Sequence, residues 1–420
     1  MKPVCLLLLL LTSALTLRGQ AIADSCWSAE VKTVLLTRGG VELEAPVLTL
    51  GEDERLLLRF DVLGAEVAGY RWQIRHCDRD WHLDDLEPYE YLSGFEEGSI
   101  DTYQSSFTTR VDYVNYSQYI PSEYSHFLAS GNYVVLVTPQ DDPDRILLSR
   151  RFCVVENTLT AAATVQQPYD GGSIRQRREV DVCVEQNADY QGDLLLPSLN
   201  PAYLHVVVQQ NGRTDTRREL PYSGYDRESL CYRNRTENLF EAGNTFRWFD
   251  ISNIRTAMYN VQRIEDYGGE WFAILKPLED RSHGNYITEK SLNGGMKVNV
   301  WDRTEKETMA DYVQVNFLLP RQYPYMDGSV HVVGDLTQWK LDAGSRMEYD
   351  MDLKAYRLRL QLKQGYYAYQ LLFLPVHGTQ GSTAPLEGNH YEMQNDYYIY
   401  LYYRSPNDRY DRLAGYKKTS

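Results

Sequence analysis

The sequence lacks the short motifs with which many enzymes assemble an active site. It contains no G-x-S-x-G turn, no H-E-x-x-H pair and no phosphate-binding loop. Its eight histidines are scattered singly. No two cysteines have the C-x-x-C spacing of a zinc or redox site. These absences predict a protein that is not an enzyme and that has no metal site and no cofactor.

Basic residues are also in short supply. The chain has 43 Lys and Arg against 58 Asp and Glu, which gives a net charge of −15. Binding to phosphate backbones depends on an excess of Lys and Arg. Nucleic acid is therefore not expected as a partner.

Long apolar runs are missing except at the very start of the chain. The run from Val4 to Leu17 contains six consecutive leucines and is followed by the small-residue stretch Ala21-Ile22-Ala23. This pattern is typical of a secretory signal peptide, here residues 1–23. We expect the mature chain to start near Asp24, and cleavage after Ala21 is the alternative.

Five cysteines remain after the predicted signal peptide, and an odd number cannot pair completely. Cys77 with Cys153 and Cys183 with Cys231 are the candidate disulfides of an exported chain. The alternative is that the cysteines are buried, reduced thiols that pack as small apolar side chains.

The remaining pattern is that of β-strands. In one segment Tyr70, Trp72, Ile74 and His76 alternate with polar residues, and similar short segments recur between turn-forming clusters. Strict alternation over short segments predicts strands, and many such strands predict sandwiches. We therefore predict an all-β chain of tandem immunoglobulin-like β-sandwich domains.

Two polar joints suggest the domain boundaries. One follows the hairpin around the acidic turn at residues 141–144, and the other is the charged stretch at residues 302–311. They divide the mature chain into residues 24–157, 158–305 and 306–420, each of a size that suits one sandwich.

Tyrosine is unusually abundant, with 34 residues against 11 Phe, and residues 397–403 read YYIYLYY. Both faces of this predicted strand are aromatic, which a sheet open to water on one side does not require. We predict contacts with a partner at Tyr398, Tyr400, Tyr402 and Tyr410. Packing within the sheet or against another domain is the alternative.

The densest polar cluster is HCDRDW, which comprises His76, Cys77, Asp78, Arg79, Asp80 and Trp81. A histidine beside carboxylates suits acid/base chemistry, and several Asp residues suit calcium. A calcium loop, however, needs Gly where this chain has Leu83. We therefore interpret the cluster as a structural corner in which Asp side chains close turns.

Several longer blocks resemble the type IX secretion system plug protein family of Bacteroidetes. They are YRWQIRHCDRDW (70–81), EYLSGFEEGSIDTYQSSFTTRVDYVNYSQYIPS (90–122), SGNYVVLV (130–137), FRWFDISN (246–253), LKQGYYAYQ (362–370), EGNHYEMQNDYYIYLYYR (387–404) and RYDRLAGY (409–416). The resemblance covers nearly the whole mature chain.

The resemblance implies a periplasmic protein, peripheral to the outer membrane, whose partner is the outer-membrane type IX translocon barrel. Its expected role is to bind the periplasmic opening of that barrel and to seal it when idle. Contact with the membrane is then expected only through the partner.

The segment GDLTQW, residues 334–339, separately resembles the early-set immunoglobulin-like modules related to glycogen-binding domains. In those modules a Trp at the position of Trp339 stacks on sugar together with a second Trp. This chain has Leu374-Pro375-Val376-His377 where the second Trp is expected. We therefore interpret Trp339 as a turn anchor, and a periplasmic carbohydrate-binding module is the alternative function.

Overall fold

A computed structural model describes residues 21–168, 175–192, 194, 197–289 and 292–420. Most of the predicted signal peptide lies outside these residues. The regular structure of the described chain is nearly all β, and its mostly antiparallel sheets form three sandwiches. The predicted all-β fold of tandem β-sandwich domains is confirmed.

The N-terminal domain contains strands β1 to β12 and a short helix, α1. Their bounds are β1 Ser25–Cys26, β2 Val31–Arg38, β3 Val47–Thr49, β4 Leu56–Leu63, β5 Tyr70–Cys77, α1 Pro88–Tyr91, β6 Leu92–Ser93, β7 Glu97–Ser99, β8 Thr102–Ser105, β9 Tyr113–Ile120, β10 His126–Phe127, β11 Gly131–Pro139 and β12 Leu148–Val155. One sheet has the order β1-β12-β11-β5-β7 with β3 beside β12, and the opposite sheet has the order β2-β4-β9-β8. Strand β5 buries Tyr70, Trp72, Ile74 and His76, as its alternation predicts.

The middle domain begins with strands β13 to β19. They are β13 Leu159–Gln166, β14 Arg177–Gln186, β15 Leu204–Gln210, β16 Arg218–Leu220, β17 Gly224–Asp226, β18 Ser229–Tyr232 and β19 Leu239–Glu241. Two strands from the end of the chain, β29 Tyr397–Tyr403 and β30 Arg412–Thr419, complete it. Its sheets have the orders β13-β14-β18-β17, with β19 beside β14, and β16-β15-β29-β30.

A third sandwich is inserted between β19 and β29, and we call it the inserted domain. It contains β20 Arg247–Asp250, β21 Val261–Tyr267, β22 Glu270–Leu275, β23 Met296–Val298, a short helix α2 Lys306–Met309, β24 Tyr312–Pro320, β25 Gly328–Val333, β26 Glu348–Asp350, β27 Ala355–Lys363 and β28 Gly365–Pro375. The sheets have the orders β20-β28-β23, with β25 beside β28, and β21-β22-β24-β27-β26.

The strand pairing therefore places the domain boundaries elsewhere than between residues 305 and 306. Strand β29 pairs with β15 over its whole length, from Tyr403 opposite Leu204 to Tyr397 opposite Gln210. Strand β20 pairs instead with β28. The middle domain thus consists of about residues 158–243 and 396–420, and the inserted domain of about residues 244–395. The buried residues of the N-terminal core run from Val31 to Val154, and the boundary near residue 157 stays a prediction.

One of the two candidate disulfides is formed. Cys183 and Cys231 lie opposite each other on β14 and β18 and are bonded. Cys77 and Cys153 both lie opposite Asn132, one on each side of β11. Two strand spacings of about 4.8 Å separate them. A disulfide cannot span that distance, and both remain free and buried.

The pairing of β29 with β15 predicts that a chain truncated after residue 396 loses its middle domain. The truncation removes all of β29 and β30, whose buried side chains include Tyr397, Ile399, Leu401 and Tyr403 of the middle-domain core. Each contributes about 1.5–3 kcal/mol, which together approaches the whole stability of a domain. We expect limited proteolysis to degrade residues 158–243, while deletion of Ser420 alone has no effect. An intact middle domain in the truncated protein would restore the boundary at residue 305.

The pairing of the cysteines predicts how many free thiols a thiol titration detects. The denatured, unreduced mature protein should show three free thiols, and reduction should raise the number to five. Replacing both Cys183 and Cys231 by Ala should lower the free energy of unfolding by about 2–4 kcal/mol. Peptide mapping that links Cys77 to Cys153 would contradict the pairing.

Candidate functional site

The strand β29 lies between two hydrophobic cores. Tyr397, Ile399, Leu401 and Tyr403 point into the sandwich of the middle domain. The opposite face meets the N-terminal domain, where Tyr402 packs with apolar residues from both domains. One face of the strand is thus aromatic because it lies in the core of its own domain, and the other because it contacts the N-terminal domain.

The four tyrosines predicted to contact a partner are all engaged within the chain. Tyr402 is fully buried, and its hydroxyl donates to Asn132 Oδ1 over 2.8 Å. The Tyr410 ring packs edge-on against His76, with 5.3 Å between the ring centres. Tyr398 and Tyr400 are half-buried and line a cavity between the domains. The structure corrects the prediction, because the partner of this aromatic face is the N-terminal domain.

The HCDRDW segment forms a corner at the same interface. Asp78 Oδ1 accepts the backbone N–H groups of Asp80 and His82, each over 2.9 Å. This closed turn holds Trp81 with a positive φ of 70°. The Trp81 side chain is buried in the contact with the middle domain. The geometry is that of a structural corner.

The histidine of the corner has its ring nitrogens occupied. The His76 side chain is completely buried, with Nδ1 bonded to Asp84 and Nε2 within 3.0 Å of the Ser130 carbonyl oxygen. The neighbouring Cys77 is a free thiol, and burial raises its pKa well above the usual range. Neither group is exposed to a substrate. In the described part of the chain, no three His, Cys, Asp or Glu side chains are grouped to hold a metal ion.

Trp339 anchors a turn. Its Nε1 donates to Asp335 Oδ1 over 2.7 Å, and its ring packs edge-on against Phe246. The backbone at Gly212 and Gly294 approaches so closely that a Cβ atom at either position would lie 2.2 Å from the indole. The indole is therefore half-buried between two backbone segments, and this geometry disfavours stacking on a sugar ring.

A buried ion pair joins the N-terminal domain to the inserted domain. Lys363 Nζ lies 2.6 Å from Asp61 Oδ2, and the side chains are only 2% and 1% exposed. Asp61 also accepts hydrogen bonds from Tyr312 and Asn115, of 2.6 and 2.7 Å. Burial lowers the pKa of Lys363, while the Asp61 carboxylate opposes that effect. Sequence reasoning missed this pair because its partners are 302 residues apart.

A second buried pair joins the N-terminal domain to the middle domain. Arg412 donates from Nε and Nη2 to the two carboxylate oxygens of Glu156, over 2.9 and 2.6 Å. Ser130 Oγ donates to Glu156 over 2.7 Å and accepts the backbone N–H of Leu413. Bidentate pairing of this kind fixes orientation as well as distance.

The middle and inserted domains are joined by hydrogen bonds to two carboxylates. Glu241 accepts from Ser382 Oγ over 2.7 Å and from the Thr383 backbone N–H over 2.9 Å. Asp215 accepts the Gly381 N–H over 2.9 Å. Each domain therefore contacts both of the others. A hinge motion at one interface would have to break a second one.

Exposed apolar side chains lie on and near helix α1 of the N-terminal domain. Four apolar side chains here are exposed, with Tyr89, Phe95 and Tyr124 at 75%, 63% and 76% and Leu128 at 48%. We call these four residues the aromatic patch. Acidic residues surround it, with Glu87 and Glu123 exposed and Glu96 half-buried.

Hydrogen bonds hold the aromatic patch in place. Strands β6 and β10 pair beneath it. The Phe95 N–H donates to Ser125 Oγ over 2.8 Å, and the Leu128 N–H donates to the Tyr91 carbonyl over 2.9 Å. Tyr91 itself is buried in the core of the domain. Exposed aromatic residues on a fixed backbone are typical of protein-binding surfaces.

The residues of the aromatic patch do not form a motif in the sequence. The only signal was local, because Phe95 follows the turn residues Ser93-Gly94 and lies among acidic residues. That pattern favours an exposed position for Phe95 but does not indicate that Tyr124 and Leu128 lie near it.

Comparison with known proteins places this domain in a family. The sequence model described as "Type 9 secretion system plug protein 1st domain" matches residues 31–156. The chain belongs to the type IX secretion system plug protein family. The match covers nearly all of the N-terminal domain, including the aromatic patch and Asp61. The family is that of a secretion plug domain and not of a known enzyme.

A solved structure extends the similarity to the whole chain. The crystal structure of a hypothetical protein from Parabacteroides merdae ATCC 43184 is 30% identical, with a TM-score of 0.90. The alignment covers 95% of this chain and 99% of that one. All three domains therefore recur together in that relative.

Two further comparisons add nothing to this assignment. A DNA-bound alkylpurine DNA glycosylase from Pseudomonas fluorescens aligns over 30% of this chain and 31% of its own, at 17% identity, but its TM-score of 0.15 shows no common fold. No functionally curated protein matches the chain.

Family membership indicates an envelope protein associated with a component of the type IX system. In the described residues, no helix is long and apolar enough to cross a membrane.

The buried pair of Asp61 and Lys363 predicts how a substitution changes the stability of the protein. Replacing Lys363 by Met leaves the Asp61 carboxylate buried without a counter-charge, which should lower the free energy of unfolding by about 3–5 kcal/mol in urea denaturation. Replacing Asp61 by Asn in the same protein should recover part of that loss, because the uncompensated charge is then gone.

The matched control is Arg357→Met. Arg357 pairs with Asp350 over 3.0 Å, but its side chain is 57% exposed. We expect a change below about 1 kcal/mol. Equal effects of the two substitutions would show that the buried pair has no special role.

Proposed function

We propose that this protein is a non-enzymatic periplasmic plug. In this proposal it binds the periplasmic opening of the type IX outer-membrane translocon and seals it when idle. The family match over residues 31–156 carries the proposal. The matched domain is also the one that bears the aromatic patch.

The arrangement of the domains supports this role. A protein that covers a wide opening must keep its shape when it is pressed against the rim. Buried pairs at Asp61–Lys363 and Glu156–Arg412 hold the N-terminal domain to both other domains. Because a preorganised surface loses little conformational entropy on binding, more of the contact energy remains for affinity.

The aromatic patch is the surface that we propose for the translocon contact. Tyr89, Phe95 and Tyr124 can each enter a pocket on the partner, and aromatic side chains often dominate binding energy. The acidic residues around the patch and the net charge of −15 favour a basic surface on the partner. This surface replaces the tyrosines of β29, which are engaged within the chain.

The proposal predicts the outcome of co-purification from native cells. Tagged wild-type protein should retrieve the outer-membrane translocon. The double variant Phe95→Asp with Tyr124→Asp should retrieve at least tenfold less, because charge replaces the exposed aromatic contacts. Deletion of the protein should also raise outer-membrane permeability to a large hydrophilic antibiotic.

The matched control replaces one exposed tyrosine by Asp in each of the other two domains. Tyr225 in the middle domain and Tyr267 in the inserted domain are 59% and 77% exposed. Substitution of both by Asp should leave retrieval unchanged. Thermal melting should show that both double variants are folded. Retrieval that is unaffected by the patch variant would reject the patch, and failure of the wild-type protein to retrieve a translocon would reject the plug.

A further inference from the structure

The three domains line an open cavity where they meet. Its volume is about 340 Å³, and residues of all three domains line it. The N-terminal domain contributes strands β2 and β12, the middle domain contributes β29 and the loop after β15, and the inserted domain contributes the turn that contains Trp339. This volume lies within the range of small-molecule sites in proteins.

Arg150 is a buried cation on the wall of this cavity. Its side chain donates to the carbonyl oxygens of Ser149 and Val34, over 3.0 and 3.1 Å, and to Gln338 Oε1 over 3.4 Å. These acceptors are all neutral. Among the described residues, no carboxylate lies within 4 Å of its guanidinium nitrogens, although Arg150 is only 7% exposed.

A buried charge normally has a counter-ion, because removing it from water costs free energy that neutral acceptors repay only in part. Burial accordingly lowers the pKa of Arg150. The guanidinium therefore favours the approach of an anion.

Two carboxylates on the same wall are bonded to other groups. Asp335 accepts from Trp339 Nε1 over 2.7 Å and from the Met296 backbone N–H over 3.3 Å. Asp24 Oδ1 accepts the backbone N–H of Arg151 over 2.7 Å. Neither supplies a direct ion pair to Arg150.

Glu42 is a carboxylate that lacks a hydrogen-bond donor at one of its oxygens. Its Oε1 pairs with Lys306, but its Oε2 is buried and has no hydrogen-bond partner in the described part of the chain. The cavity lining thus contains a buried arginine without a direct carboxylate partner and a carboxylate oxygen without a hydrogen-bond donor. Arg151 and Lys340 on the same lining also have no carboxylate within 4 Å among the described residues. Three aromatic side chains, Trp81, Tyr398 and Tyr400, also line the cavity.

We propose that this cavity binds the carboxylate end of a peptide or a free dipeptide. The ligand carboxylate pairs with Arg150, a ligand N–H group donates to Glu42 Oε2, and an apolar ligand side chain packs on the aromatic wall. A carboxylate and an N–H donor a few bonds apart are the chemistry common to all peptide C-termini. This site does not depend on the proposed plug function.

Calorimetric titration of the full mature protein tests the site. The probes are the dipeptide Ala-Phe, its C-terminal amide and its N-acetylated form. We expect Ala-Phe to bind and the amide to bind at least tenfold more weakly, because the amide lacks the charge that Arg150 requires. N-acetylation should have a smaller effect, because the Phe N–H remains.

Two variants assign the binding to the cavity. Arg150→Met should weaken Ala-Phe binding at least tenfold, while Arg255→Met, which removes an exposed arginine elsewhere, should not change it. Glu42→Gln should weaken binding of all three probes to a similar extent. If Arg150→Met does not fold, the comparison of acid and amide on the wild-type protein still decides the question.

A ten-residue peptide ending in Ala-Phe distinguishes the two sources of this chemistry. Equal affinity for the long peptide and the dipeptide would assign the site to chain ends, and preference for the dipeptide would assign it to free peptides. The proposal fails if Ala-Phe does not bind at millimolar concentration, if the amide binds as well as the acid, or if Arg150→Met binds normally.

Discussion

The buried ion pair between Asp61 and Lys363 is the interaction on which the arrangement of the domains most depends. It joins strand β4 of the N-terminal domain to strand β27 of the inserted domain, 302 positions later in the chain. Both charges are out of water, so separating the domains requires either hydration of both groups or one uncompensated buried charge. The Tyr312 and Asn115 hydrogen bonds add direction to the attraction.

The other two interfaces turn this attachment into a closed ring. Glu156 and Arg412 join the N-terminal and middle domains, and Glu241 joins the middle and inserted domains. In a linear array, each domain can move about one joint. In a ring, movement at one joint strains the other two. The cavity around Arg150 exists because three curved sandwiches meet without filling the space between them.

Local features of the fold could be predicted from the sequence. The alternation at residues 70–77 correctly identified the strand and its buried face, and the Asp-rich corner after it is a property of neighbouring residues. The same reasoning could not show that Cys77 and Cys153 lie two strands apart. It also could not show that β29 pairs with β15, because alternation reveals a strand but not its neighbour.

The aromatic strand shows the consequence for the candidate site. YYIYLYY correctly indicated that both faces of the strand are covered, but a covered face looks the same in sequence whether another domain or another protein covers it. Tyr402 proved to contact the N-terminal domain. The exposed aromatic patch at Tyr89, Phe95 and Tyr124 is assembled from separate turns, so its members do not form a pattern along the chain.

The sequence by itself therefore determined the all-β class, the strands and the plug family, because periodicity and long motif blocks are properties of contiguous residues. Only the tertiary structure decided which strands share a sandwich, which tyrosines are buried, which cysteines pair and where charges such as Arg150 lack a counter-ion. Each of these depends on the distance between residues far apart in the chain. Those distances are set by the packing of the three domains together.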